Sequence, residues 1–100
     1  EVIMNNHALG MVRQWQNLFY DSRYSQTTLD RCTDFVKLAE AFGAVGYNLT
    51  RKEDVEETIK KAMAQNRPVV INCEIDRDLK VYPMVPPGAP IDEVIMDMGD

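Results

Sequence analysis

The stretch AVGYNLTRKEDVEETIKKAMAQNRPVVINCEI, residues 44–75, reads as strand, helix, strand. Ala44 to Leu49 forms the first strand. Thr50-Arg51-Lys52-Glu53 has the form of a capping box, in which the Thr50 hydroxyl accepts one orphan helix N–H while Glu53 reaches back to another. The helix it opens turns Val55, Ile59, Ala62 and Met63 inward at helical spacing. Glu56–Lys60 and Glu57–Lys61 stand outward as i, i+4 pairs with the acid first, the favourable order. Asn66-Arg67-Pro68 stops the helix. Pro68 to Ile75, with Val69-Val70-Ile71-Asn72-Cys73 at its centre, is a near-continuous apolar strand of the kind buried on both faces of a parallel sheet.

Working outward, Gly43 suits the end of a helix over Asp34 to Phe42, because glycine takes a left-handed conformation without a Cβ penalty. That helix gathers Phe35, Leu38, Ala39 and Phe42 on one face. Asp21 to Cys32 is polar and aperiodic, an ordered loop long enough to suggest function. Before it, Leu9 to Tyr20 is helical, with Met11, Trp15 and Leu18 on one stripe and Val12 and Phe19 beside it. Gly10 costs this helix roughly 1 kcal/mol against alanine, so a close backbone approach or a bend is expected there. Val2-Ile3-Met4 is the end of a buried strand, broken by the turn-forming Asn5-Asn6. Strand, helix, helix, strand, helix, strand is the rhythm of a layered α/β fold. The last part differs. Tyr82-Pro83-Met84-Val85-Pro86-Pro87-Gly88-Ala89-Pro90 is neither helix nor central strand, since proline lacks the donor. It reads as an extended arm with a last turn over Ile91 to Met96.

One hundred residues suffice for one small domain. The 45% hydrophobic and 27% charged shares are those of a globular chain. Eleven Lys+Arg against sixteen Asp+Glu give a formal charge of −5, without the basic footprint of a nucleic-acid binder. No apolar run approaches the roughly 18–20 residues that cross a bilayer, so no membrane partner is expected. The start has neither initiator Met nor signal-peptide character, and the chain reads as a piece of something longer. Cys32 and Cys73 fit no metal or redox spacing and read as reduced, partly buried thiols of a cytoplasmic protein. Structural zinc is disfavoured, because His7 is the one histidine.

In open α/β sheets, ligands bind beyond the carboxyl ends of the strands. Asn5-Asn6 lies at such an end, before a helix N-terminus that favours anions. Neutral amide oxygens suit a hard cation such as magnesium with phosphate oxygens as further ligands. By residue type alone, the two asparagines serve equally as turn formers. His7 reads as a loop or capping histidine with no carboxylate partner visible in the sequence. Trp15 and Phe19 equally fit a helix core.

The run Ile3-Met4-Asn5-Asn6-His7-Ala8-Leu9-Gly10-Met11-Val12-Arg13-Gln14-Trp15-Gln16 resembles the segment closing the thiamine-diphosphate motif of acetohydroxyacid (acetolactate) synthase catalytic subunits. Leu18-Phe19-Tyr20, Arg23-Tyr24-Ser25, Asp34 to Gly43 and Tyr82-Pro83-Met84-Val85-Pro86 continue the likeness over essentially the whole chain. The resemblance implies a three-layer α/β fold with a mostly parallel sheet, of which residues 1–81 are the C-terminal portion. Residues 82–100 match a proline-rich arm near the active-site mouth. It implies thiamine diphosphate and Mg2+ as cofactors, with Asn6 and Ala8 (by its backbone carbonyl) as metal ligands and Gly10 and Met11 beside the cofactor. Trp15, with Met11, Val12 and Phe19, matches the wall of the pocket for the second 2-keto acid, where herbicidal inhibitors of the family also bind. One methylene in such a pocket is worth on the order of 1–3 kcal/mol.

The implied reaction condenses two pyruvates, or pyruvate with 2-oxobutanoate, with loss of CO2, in branched-chain amino-acid biosynthesis. The motif's opening Gly-Asp-Gly, the activating glutamate and the FAD-holding domain all lie outside these 100 residues, which are therefore expected to be inactive alone. The implied partners are the rest of the polypeptide, a second catalytic subunit and a regulatory small subunit. Another thiamine-diphosphate carboligase and a non-catalytic interaction domain are the competing readings.

Overall fold

The computed structural model describes residues 1–30 and 33–97. Three strands, β1 (Val2–Asn5), β2 (Val45–Leu49) and β3 (Val69–Glu74), form one parallel sheet in the order β1-β3-β2. Val2 to Asn5 pair with Ile71 to Glu74, and Val45 to Leu49 pair with Val69 to Cys73. The most apolar strand is thus the central one, with Ile71 and Asn72 buried, because it meets neighbours on both edges and helices on both faces.

The register sorts the side chains by face, since alternate residues point to opposite sides of a strand. Gly46, Asn48, Val70, Asn72, Ile3 and Asn5 share the face covered by α2 (Phe35–Ala41). A Cβ built on Gly46 would lie 2.9 Å from both Cα and Cγ1 of Val36, so glycine lets α2 reach the sheet. The opposite face carries Val2, Val69 and Ile71, which line an apolar groove with Ile59, Ala62 and Met63 of α3 (Val55–Met63). This is the expected α/β architecture, with a helix layer on either side of the sheet.

Both ends of α2 follow its local sequence. Asp34 Oδ1 accepts the Lys37 backbone N–H at 3.0 Å, and that bond holds the Asp34 carboxyl below its ordinary range. At the other end Gly43 adopts φ +76°. The Gly43 N–H donates to Glu40 O and the Ala44 N–H to Ala39 O, both at 2.9 Å, the paired bonds of a Schellman motif.

Several expectations are corrected. The capping box at Thr50 does not form: a 3-10 turn over Lys52–Asp54 precedes α3, and no side chain caps either start. Arg51 instead clamps Asp54 through two bonds of 2.8 and 2.9 Å, which lowers the Asp54 carboxyl and fixes the turn. The outward Glu56–Lys60 and Glu57–Lys61 pairs do form. The inward faces are only partly covered. Phe42 is 85% and Met63 82% exposed, because Phe42 is the C-cap of α2 and Met63 ends α3 over the open groove. Val2 and Met4 are also exposed, since β1 is an edge strand among the described residues.

The C-terminal segment is not a simple extended arm. Met84 and Ile95 pair antiparallel through bonds of 3.0 and 2.8 Å, with turns closed by Ala89 N–H to Pro86 O and Glu93 N–H to Pro90 O. The segment therefore doubles back on itself and buries Met84. The Cys73 thiol is free and half-buried in β3, whereas Cys32 lies outside the described residues. No helix among the described residues is long and apolar enough to cross a membrane.

Gly46→Ala in the full-length polypeptide is expected to cost about 1–3 kcal/mol, the usual penalty for overpacking. Denaturant unfolding measures it, and an unchanged midpoint would show that α2 can back away from β2.

Candidate functional site

The chain leaves β1 through two overlapping side-chain turns. Asn5 Oδ1 accepts the His7 N–H and Asn6 Oδ1 accepts the Ala8 N–H, each at 3.1 Å. Short amide side chains favour such local bonds over strand continuation. Between them His7 sits at φ +53°, in the left-handed region that residues with side chains seldom occupy. The turn is then pinned by the loop that follows α1. Ala8 bridges Thr28 through Leu9 N–H to Thr27 O and Leu29 N–H to His7 O, both 2.8 Å. Those bonds use the carbonyls of His7 and Thr27, so the Ala8 carbonyl is not consumed by the bridge.

Helix α1 (Gly10–Phe19) starts directly after this turn, and no side chain caps it. A Cβ on Gly10 would stand 2.8 Å from Asn6 Nδ2, so the glycine provides the space that the Asn6 carboxamide occupies. Asn6 itself is half-buried. Asn6, Ala8 and Gly10 therefore converge on one turn at a strand's carboxyl end, under a helix N-terminus whose amides and dipole favour an anion.

The two sides of α1 have opposite surroundings. Its buried residue is Gln14, 4% exposed. Gln14 donates through Nε2 to Val81 O at 3.0 Å and accepts the Val81 N–H at 2.8 Å. Next to it Arg13 donates to Asp78 at 2.7 Å and lies 3.8 Å from the centre of the Tyr24 ring. The apolar stripe, which by spacing alone fits a helix core and by resemblance a pocket wall, is open, with Met11, Val12, Trp15 and Phe19 between 38% and 53% exposed. Trp15 and Phe19 meet edge to face, centroids 5.9 Å apart at 84°. Trp15 lies five residues beyond Gly10, about 7.5 Å further along the helix. The Asp21–Cys32 loop is ordered where described: Thr27, 2% exposed, donates to Gln16 Oε1 at 2.9 Å, and the Ser22 N–H bonds Gln16 O at 3.0 Å.

Sequence reasoning missed a polar cluster at the same end of the sheet. His7 does have a carboxylate partner, with Nε2 lying 2.6 Å from Glu74 Oε2. Asn72 is bonded to Asn5, Asn48 and Glu74. One signal was available: a single asparagine inside an apolar buried strand has to find hydrogen-bond partners. Gln14 gave no such signal, because a polar residue on an amphipathic helix ordinarily faces water.

Residues 1–73 match the family described as "Thiamine pyrophosphate enzyme, C-terminal TPP binding domain", and the chain belongs to it. Its relatives narrow the class further. The chain is 54% identical over 97 residues to the acetolactate synthase of Mycobacterium leprae, which spans 92% of this chain and 16% of that protein. Against the Escherichia coli acetolactate synthase isozyme 2 large subunit it is 45% identical over 94 residues, 94% of this chain and 17% of the relative. Against the mitochondrial acetolactate synthase catalytic subunit of Saccharomyces cerevisiae it is 42% identical over 94 residues, 94% of this chain and 14% of the relative. The chain thus spans about one sixth of the length of the relatives it matches.

Gly10→Ala in the full-length protein is expected to displace the Asn6 carboxamide and weaken thiamine-diphosphate binding about tenfold. Cofactor titration of the apoenzyme measures it. An unaltered affinity would mean that Asn6 swings aside without consequence.

Proposed function

We propose that the chain is the C-terminal portion of an acetolactate synthase catalytic subunit, which condenses two pyruvates, or pyruvate and 2-oxobutanoate, with loss of CO2. The observation that carries this reading is the Asn6–Ala8–Gly10 turn beneath the open start of α1, with the Trp15–Phe19 wall on the same helix. The names of the relatives above favour it over another thiamine-diphosphate carboligase and over a stand-alone interaction domain.

The residues present fit a magnesium–diphosphate group. Asn6 Oδ1 and the Ala8 carbonyl would supply neutral oxygens, the donors that magnesium prefers. Among the described residues no group of three or more His, Cys, Asp or Glu side chains could hold a metal. By likeness to the family, negative charge beside these donors would come from the diphosphate and from a carboxylate elsewhere in the polypeptide. The α1 N-terminus would complement that charge. When bound, thiamine diphosphate supplies the electron sink for decarboxylation and carbon–carbon bond formation. The chain's own residues position it, and they wall off the space where the second keto acid would lie. The broad indole of Trp15, steadied by Phe19, offers dispersion contact to the extra methylene of 2-oxobutanoate, with Met11 and Val12 beside it.

The arm that follows this portion of the domain, described over residues 82–97, starts beside Val81, whose backbone is tied to Gln14 of α1. FAD would be held by other parts of the polypeptide. The exposed stripe of α1 and the open edge of β1 would be covered by the rest of the chain and by a second catalytic subunit. A regulatory small subunit completes the proposed assembly.

In the full-length enzyme, Asn6→Ala is expected to raise half-saturation by Mg2+ and thiamine diphosphate about tenfold or more, since even partners behind metal ligands are worth about that much. Unmoved saturation curves would reduce Asn6 to a turn former. Trp15→Leu is expected to shift the product ratio, with both keto acids present, by about tenfold toward 2-acetolactate, within the range of one-methylene discrimination. An unchanged ratio in that competition would remove Trp15 from the acceptor wall.

A further inference from the structure

Asn72 is 7% exposed in the central strand, and all its hydrogen-bonding groups are used. Oδ1 accepts from Asn5 Nδ2 at 3.0 Å, while Nδ2 donates to Asn48 Oδ1 at 3.0 Å and to Glu74 Oε1 at 2.9 Å. Glu74 turns its other oxygen to His7 Nε2 at 2.6 Å. The His7 backbone N–H returns to Asn5 Oδ1 at 3.1 Å. These bonds close a ring through Asn5, Asn72, Glu74 and His7, with Asn48 as a spur outside it.

The ring encloses the one strained residue of the turn. His7 lies between Asn6 and Ala8, and its left-handed backbone persists only where the surroundings hold it. The Leu29 N–H holds the His7 carbonyl from the loop after α1, and the ring adds two further holds. One is on its N–H, from an Asn5 carboxamide that Asn72 orients; the other is on its ring, from a Glu74 carboxylate that Asn72 also orients. Each hydrogen bond made by the far side of a ligand-bearing segment fixes the direction of the ligand itself.

We infer that Asn72 and Glu74 are positioning residues for the metal-bound diphosphate, locking the His7 backbone so that the Asn6 and Ala8 oxygens keep a fixed spacing. The inference rests on the reading of Asn6 and Ala8 as metal donors. Neither Asn72 nor Glu74 is assigned a contact with substrate or cofactor, so their effect falls on cofactor affinity and not on the chemical step.

The test is calorimetric titration of thiamine diphosphate into the metal-depleted full-length enzyme at several Mg2+ concentrations, paired with thermal unfolding of the apoenzyme. Asn72→Ala and Glu74→Ala open the ring and should weaken binding about tenfold, while Asn48→Ala cuts only the spur and should stay within about twofold of the parent. The melting temperature should fall most for Asn72→Ala, which loses three bonds, and less for Asn48→Ala, which loses one, and for Glu74→Ala, so that the Glu74→Ala affinity loss is not accompanied by the largest stability loss; kcat at saturating cofactor should be retained. Equal affinity losses for Asn72→Ala and Asn48→Ala, or none for Asn72→Ala, would overturn the inference. Should Asn72→Ala not fold, Glu74→Ala decides, because that side chain is one-third exposed. Asn6→Ala in the same titration separates the two ideas. If it weakens binding while the ring variants do not, only the positioning role fails; if it has no effect, the metal-donor reading fails and the positioning role with it.

Discussion

β3 hydrogen-bonds to β1 along one edge and to β2 along the other, and in a parallel sheet all three strands end on the same side. A polar side chain near the end of this central strand can therefore reach both neighbours at once. A buried carboxamide there must also satisfy three hydrogen-bonding groups or lose their hydration without compensation, at about 1–3 kcal/mol for each group left unpaired. Asn72 satisfies them by tying the turn after β1 to the end of β2 and to its own strand. The same bonds that make its burial tolerable give the Asn5–Ala8 turn one shape. The metal-donor geometry proposed for Asn6 and Ala8 thus depends on a residue in another strand, more than sixty positions away in sequence.

Helix α1 divides its work between two sides. On one, Gln14 and Arg13 hold the segment at Asp78 and Val81 with directional bonds, each of the order of 1 kcal/mol in net stability. On the other, the apolar stripe gives up the burial that would ordinarily stabilise an amphipathic helix. A helix anchored by its polar face and left open along its apolar one is the reverse of the usual surface helix. The inversion suits a helix whose apolar residues serve a neighbouring cavity.

Much of the fold was legible because the signals were local. The apolar run of β3, the Gly43 stop and the outward Glu–Lys pairs of α3 each depend on residues within a turn or two. The failures share a cause as well. Thr50 to Glu53 has the residue types of a capping box, but the bidentate Arg51–Asp54 pair favours a tight 3-10 turn there, and pattern matching does not weigh a competing pair. Phe42 and Met63 have helical spacing, yet one lies at a cap and the other over a groove that the described residues do not fill. Periodicity identifies a face that needs covering without saying what covers it. At the site, Asn6, Ala8 and Trp15 were named from family likeness, while Gln14, Asn48, Asn72 and Glu74 escaped because their roles exist only through distant partners.

The edge-to-face contact of Trp15 with Phe19 has a spectroscopic corollary. The chain has one tryptophan, and it lies partly exposed on the open side of α1, held at a fixed angle by a neighbouring ring. Its emission wavelength follows local water access, so any molecule or protein surface seated against that side would displace solvent from the indole and move the band toward the blue. The molecule carries its own optical probe where the acceptor cavity is proposed to lie.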